Sequence, residues 1–267
     1  MSLRPLSDLP RSVAAGLHTV FSDIDDTLTT DGRLTPPAYA ALDDLQGAGL
    51  RVILITGRPA GWCDHIARMW PVDAVIGENG AFYYWHDHHA HKLRCRHLLD
   101  DAARATHIGR LAAVRDTILR EVPGCAVASD QFCRLYDLAI DFCEDVPALP
   151  QVAVDRILRL MADAGMTAKV SSIHVNGWFG NYDKLSMAHL LMQERYRLDL
   201  AQQREHCIFV GDSPNDAPMF AYLPHTVGVA NVTAFADRMS ALPAYITPSR
   251  GGAGFAEIAR ALIGARD

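Results

Sequence analysis

Three apolar runs in this 267-residue chain stop abruptly at reactive polar residues. His18 to Ile24 runs into Asp23-Ile24-Asp25-Asp26-Thr27. Arg51 to Thr56 leads into Gly57-Arg58, and His206 to Val210 gives way to Gly211-Asp212-Ser213-Pro214-Asn215-Asp216. Short continuous apolar runs are what strands covered on both faces of a parallel sheet look like. Helical patterns lie between them. Thr35-Pro36 is a helix start, and Ala38, Ala41, Leu42 and Leu45 then recur at helical spacing until Gly47 and Gly49. Gly57 and Pro59 open a second helix reaching about Met69, and Val72 to Ile76 is a third strand. This alternation predicts an α/β fold with a doubly wound parallel sheet. Such sheets bind ligands at the carboxyl ends of their strands, so three distant segments are expected to meet in one crevice.

The rhythm changes after Gly80. Ala81 to Leu98 predicts a hairpin with a polar tip around Asp87 to His91. Long helical patterns follow near Arg104 to Val122 and Gln151 to Ala164, with strand-like runs at Arg134 to Phe142 and Thr167 to Phe179. The sequence thus divides into a discontinuous core, residues 1–84 and 180–267, and an inserted α+β cap, residues 85–179. The α/β rhythm resumes at Lys184. The first sixteen residues are polar and contain proline, which predicts a loose lead-in.

Composition narrows the function. Hydrophobic residues make up 49% and charged residues 21%, and the formal charge is −6. That is ordinary for a globular protein and lacks the basic footprint of a nucleic-acid binder. Ala217 to Ala236 is free of Asp, Glu, Lys and Arg, but Pro218, Pro224 and Gly228 argue against a membrane span. The N-terminal residues contain no apolar stretch long enough for a signal peptide. Six cysteines without a C-x-x-C pair suggest neither a zinc site nor a disulfide framework. A cytoplasmic protein binding neither nucleic acid nor membrane is expected. Oligomeric state is not readable.

Each motif alone is weak, because aspartate-rich loops are commonly turns or caps. In this order, each directly behind an apolar run, they resemble the haloacid dehalogenase superfamily of phosphohydrolases. The motifs are Asp23-Ile24-Asp25-Asp26-Thr27, Thr56-Gly57-Arg58, Lys184, and Gly211-Asp212 through Asn215-Asp216. The position and size of the cap, with Glu78-Asn79-Gly80-Ala81 at the exit from the core, resemble the Cof-type sugar-phosphatase branch, subfamily IIB. That branch usually has glycine where this chain has Asp26.

The residues suit the chemistry such a resemblance implies. Phosphoryl transfer needs an in-line nucleophile, charge neutralisation and a leaving-group acid. Asp23 can attack phosphorus, and Asp25 can protonate the leaving alkoxide and then activate water. A carboxylate cluster repels phosphate unless a hard cation such as Mg²⁺ neutralises it. The resemblance implies that Asp23, the Asp25 carbonyl and Asp212 hold this ion. It also implies that Thr56, the Gly57 amide, Lys184 and Asn215 bind phosphoryl oxygens, and that Asp216 orients Lys184 or a metal-bound water. Plainer readings stand beside these: a capped turn for Asp23 and Asp25, an exposed helix-start lysine for Lys184, and a helix N-cap for Asp216. Arg58 can touch substrate or brace its loop.

His174, Asn176 and Trp178 alternate along one strand face, where they can read substrate or form an ordinary sheet face. The hairpin holds His86, His88, His89, His91 and His97, but no zinc-binding context surrounds them. The expected activity is Mg²⁺-dependent hydrolysis of a small phosphorylated metabolite, most simply a sugar phosphate. A phosphotransferase or phosphomutase, or a sugar-phosphate-binding module without turnover, are the alternatives.

Overall fold

The computed structural model describes residues 3–266. In chain order the strands of the first half are β1 (Arg4–Pro5), β2 (Thr19–Ser22), β3 (Thr29–Thr30), β4 (Arg33–Leu34), β5 (Arg51–Ile55), β6 (Ala74–Gly77), β7 (Phe82–Asp87) and β8 (Lys92–His97). Its helices are α1 (Arg11–Gly16), α2 (Pro36–Gly47) and α3 (Ala60–Met69). Then come α4 (Asp101–Glu121), β9 (Ala126–Val127), β10 (Asp137–Asp141), α5 (Gln151–Asp163), β11 (Thr167–Val170) and β12 (His174–Trp178). The chain closes with α6 (Lys184–Tyr196), α7 (Leu200–Gln203), β13 (Cys207–Gly211), α8 (Ala217–Tyr222), β14 (His225–Gly228), β15 (Tyr245–Ile246) and α9 (Gly251–Gly264).

The main sheet runs β1-β15-β14-β13-β2-β5-β6-β7-β8. It is parallel from β1 to β6, and β7 and β8 continue it antiparallel. Alternate residues of its buried strands feed two different cores. Val20, Val52, Leu54, Ile208 and Val210 pack with Leu42 and Leu45 of α2, Ile66 of α3 and Phe255 of α9. Phe21, Ile53, Ile55 and Phe209 pack with Met187 and Leu191 of α6 and Met219 and Phe220 of α8. Helices on both faces explain why these strands read as unbroken apolar runs.

The expected loose lead-in is instead ordered. Arg4–Pro5 pairs parallel with β15, and α1 follows directly. A two-residue edge strand has too little pattern to stand out in a sequence. The hairpin forms as expected, but it belongs to the main sheet. The expected boundary after residue 84 would cut β7, whose partners β6 and β8 both lie in the core sheet. We therefore propose that the inserted unit begins after His97.

A second sheet, β11-β12-β10-β9, is antiparallel. One face packs Leu138, Ile140 and Val175 against Ile118 of α4 and Ile157 and Met161 of α5. The other face carries Asp137, Asp141, His174 and Asn176, all buried although polar. Buried polar groups need partners, and these find theirs at the boundary with the main sheet. At the hairpin tip, His86 Nδ1 lies 3.3 Å from His88 Nδ1, while His97 packs against Phe82, Tyr84 and Tyr136. The histidines do not converge on one point.

Candidate active site

The chain leaves β2 in one direction towards β5 and returns through β13 on its other side. The crevice outside this switch point collects the three polar strand ends. Asp23 follows β2 directly, and its amide donates to the Val210 carbonyl of β13. Lys184 is the first residue of α6, and Asp183 before it closes a reciprocal cap with Ser186. That cap fixes the start of α6, so the Lys184 side chain lies buried in the crevice. Its Nζ donates to Asp23 Oδ1 at 2.6 Å and to Asp216 Oδ1 at 2.7 Å.

Asp216 does more than hold Lys184. Its Oδ2 accepts from the amides of Asp212 at 2.9 Å and Ser213 at 3.1 Å. It makes no side-chain cap to α8. Gly211 leaves the space this loop needs, because a Cβ there would collide with the Asp216 carboxylate. Asp212 accepts from Thr27 Oγ1 at 3.0 Å and from Asn231 Nδ2 at 2.8 Å. Asn231 also donates to the Asp26 carbonyl and accepts from the Gly251 amide, tying two loops to Asp212.

Asp23, Asp212 and Asp216 each offer a carboxylate oxygen within 4.8 Å of the others. Among the described residues no other group of three His, Cys, Asp or Glu side chains comes together this way. Burial pushes the Asp23 carboxyl up to about 8 against the pull of Lys184, and Asp216 and Asp25 push it further. Burial, reinforced by Asp23 and Asp216, lifts Asp212 well above its usual range. One lysine does not balance three buried carboxylates. A hard divalent cation would, and the donors are the oxygens such an ion prefers.

The phosphoryl-binding candidates lie beside this cluster. Thr56 is buried and its Oγ1 accepts from the Arg58 amide. Asn215 accepts from Ser213 Oγ and donates to Asn79 Oδ1 at 3.1 Å. Asn79 sits at φ 54, a conformation asparagine tolerates better than most residues. Its Nδ2 is buried beside Gly57 without a partner. A donor left waiting in a buried corner suits an incoming oxyanion.

Arg58 binds protein, not open space. Its Nε donates to both oxygens of Asp25, at 2.9 and 3.0 Å. Its terminal nitrogens reach Glu144 at 2.6 Å and Asp130 at 3.3 Å, both on the inserted unit. Trp62 stacks over the guanidinium at 4.4 Å.

His174 and Asn176 line the crevice with Asp23, Asp25 and Gly57, whereas Trp178 does not. His174 Nε2 lies 2.8 Å from Glu144 Oε2, close but off the line of a well-aligned hydrogen bond. Asn176 donates to Asp137 at 2.8 Å. Trp178 is buried in the hydrophobic core and stacks on Tyr182 at 5.4 Å. The pocket that His174 and Asn176 share with Asp23 and Asp25 is about 10 Å³, room for one water, and a neighbouring pocket of about 210 Å³ is lined by Asp26, Asp212, Asn231 and Ser172.

Several contributors were not legible in advance. Glu78 accepts from the amides of Ala60 in the core and of Leu135, Tyr136 and Asp137 in the inserted unit. Arg134, wholly buried, donates to the Gly57 carbonyl and to Asp130 and Asp137. Glu144, Asp130, Asn79, Asn231 and Thr27 complete the set. Only Glu78, Asn79 and Thr27 lay inside a recognised motif.

Comparison with known proteins agrees with the fold. Residues 20–109 match the family model of haloacid dehalogenase-like hydrolases. No curated protein sequence matches the chain. The fold is similar to the C-terminal domain of Candida albicans trehalose-6-phosphate phosphatase, with TM-score 0.73 and 13% identity, covering 99% of this chain and 98% of that one. A Thermoplasma acidophilum protein gives TM-score 0.68 at 18% identity, covering 92% and 98%. The Synechocystis sucrose-phosphatase, solved with sucrose and phosphate, gives 0.61 at 17% identity, again covering 92% and 98%. The matched residues 20–109 carry two of the strand-end motifs, and the third stands beside them in the same sheet.

Proposed function

We propose that this protein is a Mg²⁺-dependent phosphatase acting on a small phosphorylated metabolite, a sugar phosphate being the best-supported class. The observation that carries this reading is the buried Asp23 carboxylate, held by Lys184 and flanked by Asp212 and Asp216 at the strand ends. The similar folds of trehalose-6-phosphate phosphatase and sucrose-phosphatase favour sugar esters.

Asp23 and Asp212, with the backbone of Asp25, would hold Mg²⁺. When bound, the ion neutralises charge on the phosphoryl oxygens and on the carboxylates. The chain's own residues then divide the work. One Asp23 oxygen forms a bond to phosphorus as the ester P–O bond breaks. Asp25 gives its proton to the departing alkoxide oxygen. Water next attacks phosphorus, loses a proton to Asp25 and releases phosphate, which restores Asp23. Lys184, Asn215, Thr56 and the Gly57 amide hold the phosphoryl oxygens. Asp216 keeps Lys184 in place through Oδ1, while its Oδ2 is fixed by the amides of Asp212 and Ser213. His174 and Asn176 close the crevice from above and exclude other water.

The test is phosphate release across a panel of phosphorylated sugars, nucleotides and cofactors, with and without Mg²⁺ and with acceptor sugars present. Metal-dependent release of inorganic phosphate supports hydrolysis. Transfer to the acceptor would identify a phosphotransferase instead. Silence on every ester would remove the enzymatic reading.

A further inference from the structure

We infer that Glu144 is a positioning residue which, through Arg58, orients the carboxyl group of Asp25 when the inserted unit closes over the crevice. This rests on the phosphatase reading in one respect only, the role of Asp25 as proton donor. The connection itself is geometric. Arg58 leaves the end of β5 and lies in the crevice, almost wholly buried. A single guanidinium touches Asp25 on the core side and Glu144 and Asp130 on the other. The fork is rigid and planar, so fixing its terminal nitrogens fixes the direction of its Nε. Glu144 is itself well anchored. The buried Asp141 carboxylate accepts from the amides of Cys143, Glu144 and Asp145, which pins the loop behind β10. His174 approaches the same Glu144 carboxylate from β12.

The Arg58–Asp25 contact lies within the core, and Glu144 and Asp130 fix its direction only while the two units are together. When the units part, Arg58 loses Glu144 and Asp130 together, and the Asp25 carboxyl loses its fixed partner. Proton delivery would then be slow while the crevice is open to water. That is the state in which a phosphorylated Asp23 would be exposed.

Two measurements test this. The first is kinetics of Glu144→Gln and Glu144→Asp on glucose 6-phosphate, glycerol phosphate and p-nitrophenyl phosphate, with Mg²⁺ saturating. The alkyl esters need a well-placed proton and the aryl ester needs little. Glu144→Gln should lower kcat on the alkyl esters about tenfold or more, with KM nearly constant, and on the aryl ester by no more than about threefold. Glu144→Asp should recover part of the loss. Equal losses on both ester types, or a change in KM alone, would overturn the inference. The second measurement is hydrogen exchange of the segments containing Asp25 and Arg58. Both should exchange faster in Glu144→Gln than in the wild type. Unchanged exchange there would overturn the positioning role even if no ester proved to be a substrate. Ester hydrolysis by the wild type decides the phosphatase reading separately.

Discussion

Asp26 stands where the branch that the sequence resembles usually has glycine. Its backbone lies at φ 56, in the left-handed region, where glycine is at ease and aspartate is tolerated. The turn continues through its amide, which donates to Thr29 Oγ1 at 3.0 Å. Asp26→Gly should therefore keep both fold and turnover. Asp26→Val places a branched side chain at positive φ and should cost roughly 1–2 kcal/mol, read from denaturant midpoints. Asp23 is a different case, because its role is chemical. Asp23→Asn should leave the far-UV spectrum unchanged and lower turnover by several orders of magnitude, the scale of removing a nucleophile. Activity near the wild-type level in that variant would contradict attack by Asp23. Asp23, Asp25 and Asp212 were legible because each directly follows an apolar run. Asn231 was not, since nothing near it in sequence announces that its amide would reach Asp212.

At the scale of elements, β12 and the loop behind β10 bring the inserted unit onto the crevice. The alternation of His174 and Asn176 was readable along the strand. The third member of the series, Trp178, shares their face but lies beyond the crevice, in the core beside Tyr182. Periodicity shows which residues share a face, not where along the strand the site ends. Glu144 and Arg134 were invisible for another reason. Their partners Arg58 and Gly57 are about 80 residues away in sequence, and such pairings have no local signature. The ion pair at Glu144 makes a pH prediction. Its partial burial would raise the carboxyl, but the approach of His174 and Arg58 outweighs this and draws it from 4.5 down to about 2. A lowered carboxyl stabilises the folded state above its unfolded value and loses that effect as pH falls towards its folded value. The difference in Tm between wild type and Glu144→Gln should shrink as pH falls from 4.5 towards 2. A difference that holds its size down to pH 3 would mean that the ion pair contributes little.

For the whole molecule, the central feature is that two sheets meet over one buried acidic cluster. The pocket directly against Asp23 and Asp25, about 10 Å³, admits a water and no ester. We propose that an ester reaches Asp23 as the two sheets part, with Glu78, Arg134 and Arg58 as the contacts that break and re-form. The balance of charge inside the cluster predicts metal dependence. EDTA should silence turnover, and Asp212→Ala should raise the Mg²⁺ concentration needed for half-maximal rate by about tenfold or more. Activity that survives chelation would contradict the assignment of the cluster. The doubly wound sheet could be read from its strand rhythm, whereas the placing of the hairpin in the core sheet could not. A β-hairpin has the same pattern whichever sheet it joins. The central claim, that Asp23 carries the phosphoryl group, is tested most directly by trapping. Enzyme quenched during turnover with borohydride should yield homoserine at position 23, because an acyl phosphate is reduced and a free carboxylate is not. Phosphate release with Asp23 unmodified, or with the modification at another aspartate, would contradict the account.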